Sequence, residues 1–128
     1  MGLDMYAYAV NAGDIDTSTD VDFDYNYHKS EELFYWRKNH YLMGWMAALY
    51  KAKGGEGPFN CDPVRLTEFD LDLLIKDIQR KKLTATAGFF FGNQYDYYAT
   101  QAQRDLEFAN IAIQSIREGK DVFFNSSW

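Results

Sequence analysis

Cysteine, histidine and proline are scarce in this sequence. Cys61 is the only cysteine, so the chain cannot form an internal disulfide, as is typical of proteins from reducing compartments. We expect its thiol to be buried and inert. No spacing links Cys61 with the two histidines, His28 and His40, as metal ligands, so we expect neither a metal nor a cofactor. The longest uncharged apolar run, residues 41–50, is about half of what a membrane span requires, so we expect no membrane association.

Basic residues are nearly missing from the first quarter of the chain. Residues 1–32 contain eight acids and one lysine, so their net charge is −7. The net charge of all 128 residues is −6. The first basic residue is Lys29, so residues 1–10 lack the positive leader of a secretory signal peptide, and we expect a cytoplasmic protein. Because such an acidic region repels phosphate groups, we expect no nucleic-acid partner.

Aromatic side chains, by contrast, are abundant, with ten Tyr, ten Phe and three Trp. Buried rings stabilise a core strongly, while tyrosine hydroxyls and tryptophan N–H groups require a hydrogen-bond partner or water. A chain of this length has enough residues for one core. We therefore predict a single domain over residues 1–128, with stacked rings inside and polar ring tips at the surface.

Hydrophobic periodicity predicts an α+β fold in which three helices pack on a small antiparallel sheet. Residues 3–10 and 122–125 are predicted strands that pair near the centre of the sheet, and residues 64–66 are a predicted short edge strand. Residues 20–28 alternate strictly between apolar and polar side chains, which predicts a further strand with one buried face.

The first predicted helix covers residues 31–52 and is capped by Ser30. It is apolar nearly all round, so we expect it to be the central buried helix, with Trp45 in the core. Glycine-rich residues 53–58 end it and form a predicted linker.

Two further helices are predicted from local signals. One begins after Thr67, with Asp70 three residues later in a position typical of a capping box. The other covers residues 97–118 and is stopped by Gly119. Between them, residues 88–92 (GFFFG) are predicted to form a buried strand or a tight turn.

A row of carboxylates in residues 20–26, with Glu31 at the twelfth place, imitates the ligand spacing of an EF-hand loop. Tyr25 occupies the sixth position, where that loop needs glycine, and no predicted helix precedes the row. We interpret the row as the solvent-facing side of a strand, and a weak calcium site there stays open as an alternative.

Residues 35–40 are the stretch most suggestive of function. On the predicted helix, Trp36 and His40 share one face, and Arg37 lies on the next. An arginine beside aromatic rings can bind a carboxylate or a phosphate, so Trp36, Arg37, His40 and Arg65 are candidate ligand-binding residues. The competing interpretation is a core tryptophan with Arg37 paired to a neighbouring acid or to the end of a strand.

Several short blocks run from one end of the chain to the other: residues 1–6 (MGLDMY), 35–38 (YWRK) followed by Leu42 and 44–46 (GWM), 59–61 (FNC), 64–67 (VRLT), 88–92 (GFFFG) and 123–128 (FFNSSW). Together and in this order they resemble a family of small uncharacterised proteins of tailed phages, including cyanophages, and of prophages. The resemblance implies a phage origin and no particular activity.

The leading functional hypothesis is a phage-type accessory protein that acts in the cytoplasm of the infected host cell, through contacts with a protein partner or through self-association. The alternative is a small enzyme, or a protein that binds a small molecule or anion, with its pocket around Trp36, Arg37, His40 and Arg65. A deep pocket in which His40 and Arg65 converge would favour the alternative. A filled core with an exposed aromatic patch would favour the first hypothesis.

Overall fold

Four antiparallel strands form one sheet, in the order β2-β1-β4-β3. The computed structural model describes residues 3–15, 18–84 and 97–128, so the prediction for residues 88–92 lies outside the described residues. The strands are β1 (Asp4–Asn11), β2 (Glu31–Arg37), β3 (Val64–Leu66) and β4 (Lys120–Ser127). The helices are α1 (His40–Ala52), α2 (Glu68–Gln79), α3 (Tyr97–Thr100) and α4 (Ala102–Arg117), with one further turn of 3₁₀ helix at Tyr27–Lys29.

The predicted α+β fold with one small antiparallel sheet is confirmed. The first and last strands pair at its centre, in a register that runs from Asp4 opposite Ser127 to Asn11 opposite Lys120. The predicted edge strand β3 pairs with β4 on the far side. β1 is an inner strand covered on both faces, and its four consecutive residues from Ala7 to Val10 are all buried.

The start of α2 also forms as predicted. The Thr67 hydroxyl oxygen accepts a hydrogen bond from the Asp70 backbone N–H at 3.2 Å, and Asp70 Oδ2 accepts one from the Thr67 N–H at 2.9 Å. This reciprocal pair is a capping box. The third predicted helix is divided at Gln101 into α3 and α4, and Gly119, with a φ of 92°, follows its end.

The prediction of one helix over residues 31–52 is wrong in its first part. Residues 31–37 form β2, and Ser30 does not cap a helix, because this segment pairs with β1 in an antiparallel register. The chain then turns at Lys38, whose φ is 58°, and the Asn39 side chain caps α1 by accepting from the Leu42 N–H at 3.1 Å. Consequently Trp36 and His40 do not share a helix face.

The predicted strand over residues 20–28 is also wrong. Within this segment Val21 forms an isolated bridge to Val64, and the rest makes no ladder. Asp22 adopts a φ of 56°, a left-handed conformation that an aspartate tolerates better than most residues and that ends an extended run. Its carboxylate accepts a hydrogen bond from the Tyr50 hydroxyl at 2.8 Å, so the acidic row is not a uniform solvent-facing strand edge.

The two faces of the sheet carry two separate cores. The helix side is the face on which α1, α2 and α4 pack, and it contains the larger core, including Met5, Trp36, Met46, Phe108 and Phe124. On the opposite, outer face a smaller core consists of Tyr8, Val10, Ile15, Phe23 and Phe123. Residues 18–30, here termed the covering segment, supply part of this second layer.

Two predictions about burial are corrected by the structure. Trp45 is only partly buried on α1, where its Nε1 donates to Asp77 Oδ2 at 3.0 Å, so α1 is not enclosed on every side. Cys61 is exposed, because it lies in a turn with a φ of 64° that follows Phe59 and Asn60 out of the core. No helix among the described residues is long and apolar enough to cross a membrane.

Candidate functional site

The four residues of the predicted pocket lie in separate parts of the fold. Trp36 and His40 are buried on the helix side, whereas Arg37 is exposed at the end of β2. Arg65 lies on β3, opposite Phe123 of β4, at the other edge of the sheet. Neighbouring strands are about 4.8 Å apart, so roughly 14 Å separates β3 from β2. The four side chains therefore do not line one pocket.

Trp36 belongs to a network around the fully buried Asp105 carboxylate. Trp36 Nε1 donates to Oδ1 at 2.8 Å, Asn39 Nδ2 lies 3.2 and 3.0 Å from the two oxygens, and the Tyr97 hydroxyl donates to Oδ2. Burial raises the pKa of Asp105, and the hydrogen bonds from Tyr97, Asn39 and Trp36 oppose that increase. Because the donors come from β2, the α1 cap and α3, the carboxylate holds these elements on α4.

His40 is the first residue of α1 and is 5% exposed. Burial lowers the pKa of its imidazole, and the positive charge of Lys38 lowers it further. A histidine whose pKa lies below its usual value is neutral at pH 7. This position makes His40 part of the junction between β2 and α1.

Arg65 fastens the covering segment to the sheet. Its guanidinium lies 3.2 Å from Asp20 and 3.6 Å from Asp121, and Nη2 donates to the Thr19 carbonyl oxygen at 3.2 Å. Its Cζ atom lies 5.5 Å from the centre of the Phe23 ring, within the range of a cation–π contact. The structural role predicted for Arg37 in the competing interpretation therefore fits Arg65 instead.

The most continuous aromatic surface lies on the outer face of the sheet. We call it the tyrosine face and define it as Tyr6, Tyr8, Tyr25, Tyr27 and Tyr35. The Tyr6 ring stacks on Tyr8 with centroids 5.9 Å apart, and it lies 5.2 Å from Tyr35. Tyr8 also contacts Tyr25 at 6.3 Å and Tyr27 at 6.0 Å. The rings therefore form one connected patch over β1, β2 and the covering segment.

The outer members of the tyrosine face reach solvent. Tyr27 is 63% exposed and Tyr35 is 39% exposed, while Tyr8 is buried beneath them. Hydrogen bonds fix two of the rings, since the Tyr35 hydroxyl donates to Asp4 Oδ1 at 2.6 Å and Asn125 Nδ2 donates to the Tyr25 hydroxyl oxygen at 2.8 Å.

The hydroxyl pKa is raised at Tyr6, Tyr8 and Tyr35. Burial raises the pKa of Tyr8 to about 12, with further contributions from nearby tyrosines and from Glu32. The hydrogen bond to Asp4 raises the pKa of Tyr35, and burial followed by the negative charges of Asp4 and Glu32 raises that of Tyr6. The hydroxyls of Tyr6, Tyr8 and Tyr35 are therefore neutral at pH 7, and the carboxylates of Asp4 and Glu32 lie beside them.

The tyrosine face was missed in the sequence, although one signal for it was present. Tyr6 and Tyr8 alternate with Met5 and Ala7 along β1. The period of two in a strand places the two tyrosines on one face of the sheet and Met5 and Ala7 on the other. Tyr35 could not be placed with them while residues 31–37 were interpreted as helix.

The acidic row lines part of a separate cleft. This cleft has a volume of about 290 Å³ and is lined by Asp22, Phe23, Asp24, Tyr25, Cys61, Asp62 and Pro63. Among the residues that the structure describes, no group of three or more His, Cys, Asp and Glu side chains is arranged to hold a metal ion. The alternative of a calcium site on this row therefore receives no support from the geometry.

Comparison with known proteins returns no match of significance: no family model, no curated protein and no solved structure is detectably similar to the chain.

Proposed function

We propose that this chain is a phage-encoded accessory protein that acts in the cytoplasm of the infected host through protein–protein contacts, with the tyrosine face as its contact surface. The proposal combines the resemblance of the sequence blocks to a family of phage proteins with one structural observation, the connected patch of partly exposed tyrosine rings.

The composition of the tyrosine face supports a protein ligand. Tyrosine is one of the residues enriched at the centres of protein interfaces, because it buries a large rigid ring and keeps a polar tip. Tyr27 and Tyr35 expose such rings, and Tyr8 and Phe123 form a packed layer beneath them. This arrangement resembles an interface core surrounded by polar residues.

The rings are also held in place before any partner binds. The hydrogen bonds of Tyr35 to Asp4 and of Asn125 to Tyr25 restrict the rotation of both tyrosines. A side chain that is already ordered loses less conformational entropy on binding. The tyrosine face is therefore preorganised for a partner.

The alternative function, a small enzyme or a small-molecule or anion binder, stays a prediction from sequence. Its four residues, Trp36, Arg37, His40 and Arg65, occupy three separate environments. The positions of these side chains give it no geometric support.

The proposal is tested with a double substitution, Tyr27→Ser with Tyr35→Ser, in tagged protein expressed during infection. A partner is first identified with the wild-type chain and then purified for titration. Loss of the two most exposed rings of the tyrosine face should weaken its binding by about 2–4 kcal/mol, which is roughly 30-fold to 1,000-fold.

Phe69→Ser is the matched control, because Phe69 is an aromatic residue that is 76% exposed on α2, away from the tyrosine face. It should leave the affinity unchanged. Equal affinity of the double variant and the wild type, or a loss confined to Phe69→Ser, would refute the tyrosine face as the contact surface.

A further inference from the structure

The two edges of the sheet differ in how their backbone groups are covered. At the β3 edge, the covering segment supplies two backbone hydrogen bonds, from the Asp22 N–H to the Pro63 carbonyl at 3.1 Å and from the Arg65 N–H to the Asp20 carbonyl at 2.8 Å. At the β2 edge, within the part of the chain that the structure describes, the contact to a strand backbone group is a long hydrogen bond of 3.4 Å from Arg104 Nη2 to the Tyr35 carbonyl oxygen.

The register shows which backbone groups of β2 face away from the sheet. The Lys38 N–H donates to the Leu3 carbonyl at 2.8 Å, so the odd-numbered residues of β1 bond towards β2. In an antiparallel ladder, bonded pairs alternate with pairs whose backbone groups point outwards. Tyr35 and Arg37 lie opposite Tyr6 and Asp4, and their N–H and C=O groups therefore point outwards.

The register between β1 and β2 shifts by one residue between Ala7 and Tyr8, and this shift determines which residue at the start of β2 faces outwards. Across it, Glu32 lies opposite Tyr8, an even-numbered residue of β1, so the Glu32 backbone also points outwards. The outward-facing positions of β2 are thus Glu32, Tyr35 and Arg37, all of which are exposed. Their side chains lie on the outer face, since those of Tyr8 and Tyr6 do.

The charges on these positions are segregated by sign along the strand. Glu31 and Glu32 are at its start and Arg37 is at its end, with Leu33, Phe34, Tyr35 and Trp36 between them. An edge that only repels other strands commonly carries like charges, often lysines. Segregated charges instead repel a parallel copy of the same strand and attract an antiparallel one.

We propose that β2 pairs with β2 of a second copy of this chain, antiparallel and about a two-fold axis at Tyr35. In this register the outward-facing Tyr35 residues of the two copies pair with each other. Glu32 of each copy then lies beside Arg37 of the other, on the same face. The two four-stranded sheets become one continuous sheet, and Arg104 is displaced from the Tyr35 carbonyl oxygen.

The proposed pairing is inferred from the outward-facing backbone groups of β2 and from the charges of Glu32 and Arg37, and it is independent of the proposed function. It also has a consequence for the outer face, because Tyr35 lies at the border of the tyrosine face. Two copies joined at Tyr35 would present two tyrosine faces side by side, as one surface of doubled length. The contact is limited to one short strand per copy, so the dimer should be weak.

Analytical ultracentrifugation of four charge variants tests the pairing, at protein concentrations from about 10 µM to about 1 mM, the range expected for a weak interface. The wild type should approach the mass of a dimer at the upper end. Glu32→Arg and Arg37→Glu each place like charges together and should weaken association by about tenfold or more. The two variants mixed in equal amounts, and the double variant with both reversals, should regain association.

Glu107→Arg is the matched control, since it makes the same charge change at an exposed site on α4. It should associate like the wild type. If one single variant fails to fold, the double variant alone decides the question. A wild type that stays monomeric throughout the range, or a double variant that stays monomeric beside a dimeric wild type, would overturn the proposal.

Hydrogen exchange shows which surface of the chain forms the dimer contact. Protection of the Tyr35 and Arg37 amides should rise with protein concentration, because these are the N–H groups that the second strand would bind. A dimer that leaves both amides exchanging at the rate of the monomer would be formed by another face, and it would overturn the proposed pairing.

Discussion

The helix side and the outer face of one sheet use the same strands for different purposes. On β1, Met5 and Ala7 are fully buried under the helices, while Tyr6 and Tyr8 form the tyrosine face on the other side. The helix side encloses its polar groups, and Asp105 is satisfied by buried donors. The outer face leaves rings partly in water. The helix side therefore carries most of the stability, and the outer face leaves Tyr27 and Tyr35 in contact with solvent.

The largest expected effect is a difference in unfolding free energy between substitutions at two adjacent residues of β2, Trp36 and Tyr35. Trp36 is 1% exposed on the helix side and Tyr35 is 39% exposed on the outer face. Trp36→Ala should lower the free energy of unfolding by about 3–5 kcal/mol, because it leaves a cavity and removes a donor to Asp105. Tyr35→Ala should cost less than about 1 kcal/mol. Urea denaturation measures both, and similar losses would end the distinction between the two faces.

Asp105→Asn should lower the free energy of unfolding by about 1–3 kcal/mol, since it disturbs the hydrogen bonds from three buried donor groups. The effect should depend on pH. Burial raises the pKa of Asp105 in the folded state, so its contribution to stability is fully present below the unfolded pKa of about 4 and is lost as the pH rises through the folded value.

The difference in stability between the wild type and Asp105→Asn should therefore narrow as the pH rises from about 4. Thermal melts of both proteins at a series of pH values give this difference directly. A difference that widens with pH would mean that the native state stabilises the carboxylate form, against the direction stated here.

Trp45→Ala should have an intermediate effect of about 1–2 kcal/mol. Trp45 is partly buried and bonded to Asp77, so its loss removes less apolar burial than that of a core tryptophan. A loss as large as that of Trp36→Ala would show that α1 is enclosed on this side as well. Chemical denaturation with tryptophan fluorescence follows the change.

The smallest expected effect is that of calcium on the melting temperature, through the acidic row in residues 20–26. Asp20 is paired with Lys53 and Arg65, and Asp22 accepts from Tyr50, so these two carboxylates of the acidic row already bind protein groups. Millimolar calcium should shift the melting temperature by less than about 1 °C. A ligand at about 100 times its dissociation constant would add about 2.7 kcal/mol, which is several degrees. A shift of that size would restore the cation site.

Sequence reasoning succeeded where the signal was local. The Thr67–Asp70 capping box and the strand at residues 3–10 each have a signal contained within a few residues, and both formed as predicted. It failed for β2, because Leu33, Phe34 and Trp36 continue the apolar run of α1 and Ser30 imitates a cap. The pairing with β1 decides that segment, and pairing is a tertiary property.

The candidate site was less accessible to sequence reasoning than the fold. Residues 20–28 alternate like a strand but cross the outer face, so Tyr25 and Tyr27 meet Tyr8 through a tertiary contact that no local pattern contains. The predicted pocket required Arg65 near Trp36, and the strand order places them at opposite edges of the sheet. Only the alternation of Tyr6 and Tyr8 indicated a tyrosine-rich face in advance.

The pairing of β1 with β4 has a kinetic consequence. Asp4 lies opposite Ser127 at the centre of the sheet, so β1 gains one of its two neighbours only after α1, α2 and α4 have been synthesised. Contacts between residues so far apart in sequence raise the contact order and slow folding. During synthesis on the ribosome, the edge of β1 that pairs with β4 therefore stays unpaired, and this strand carries Tyr6 and Tyr8. An unpaired strand edge that is exposed during folding promotes aggregation, so the time before β4 pairs is when this chain is most exposed to it.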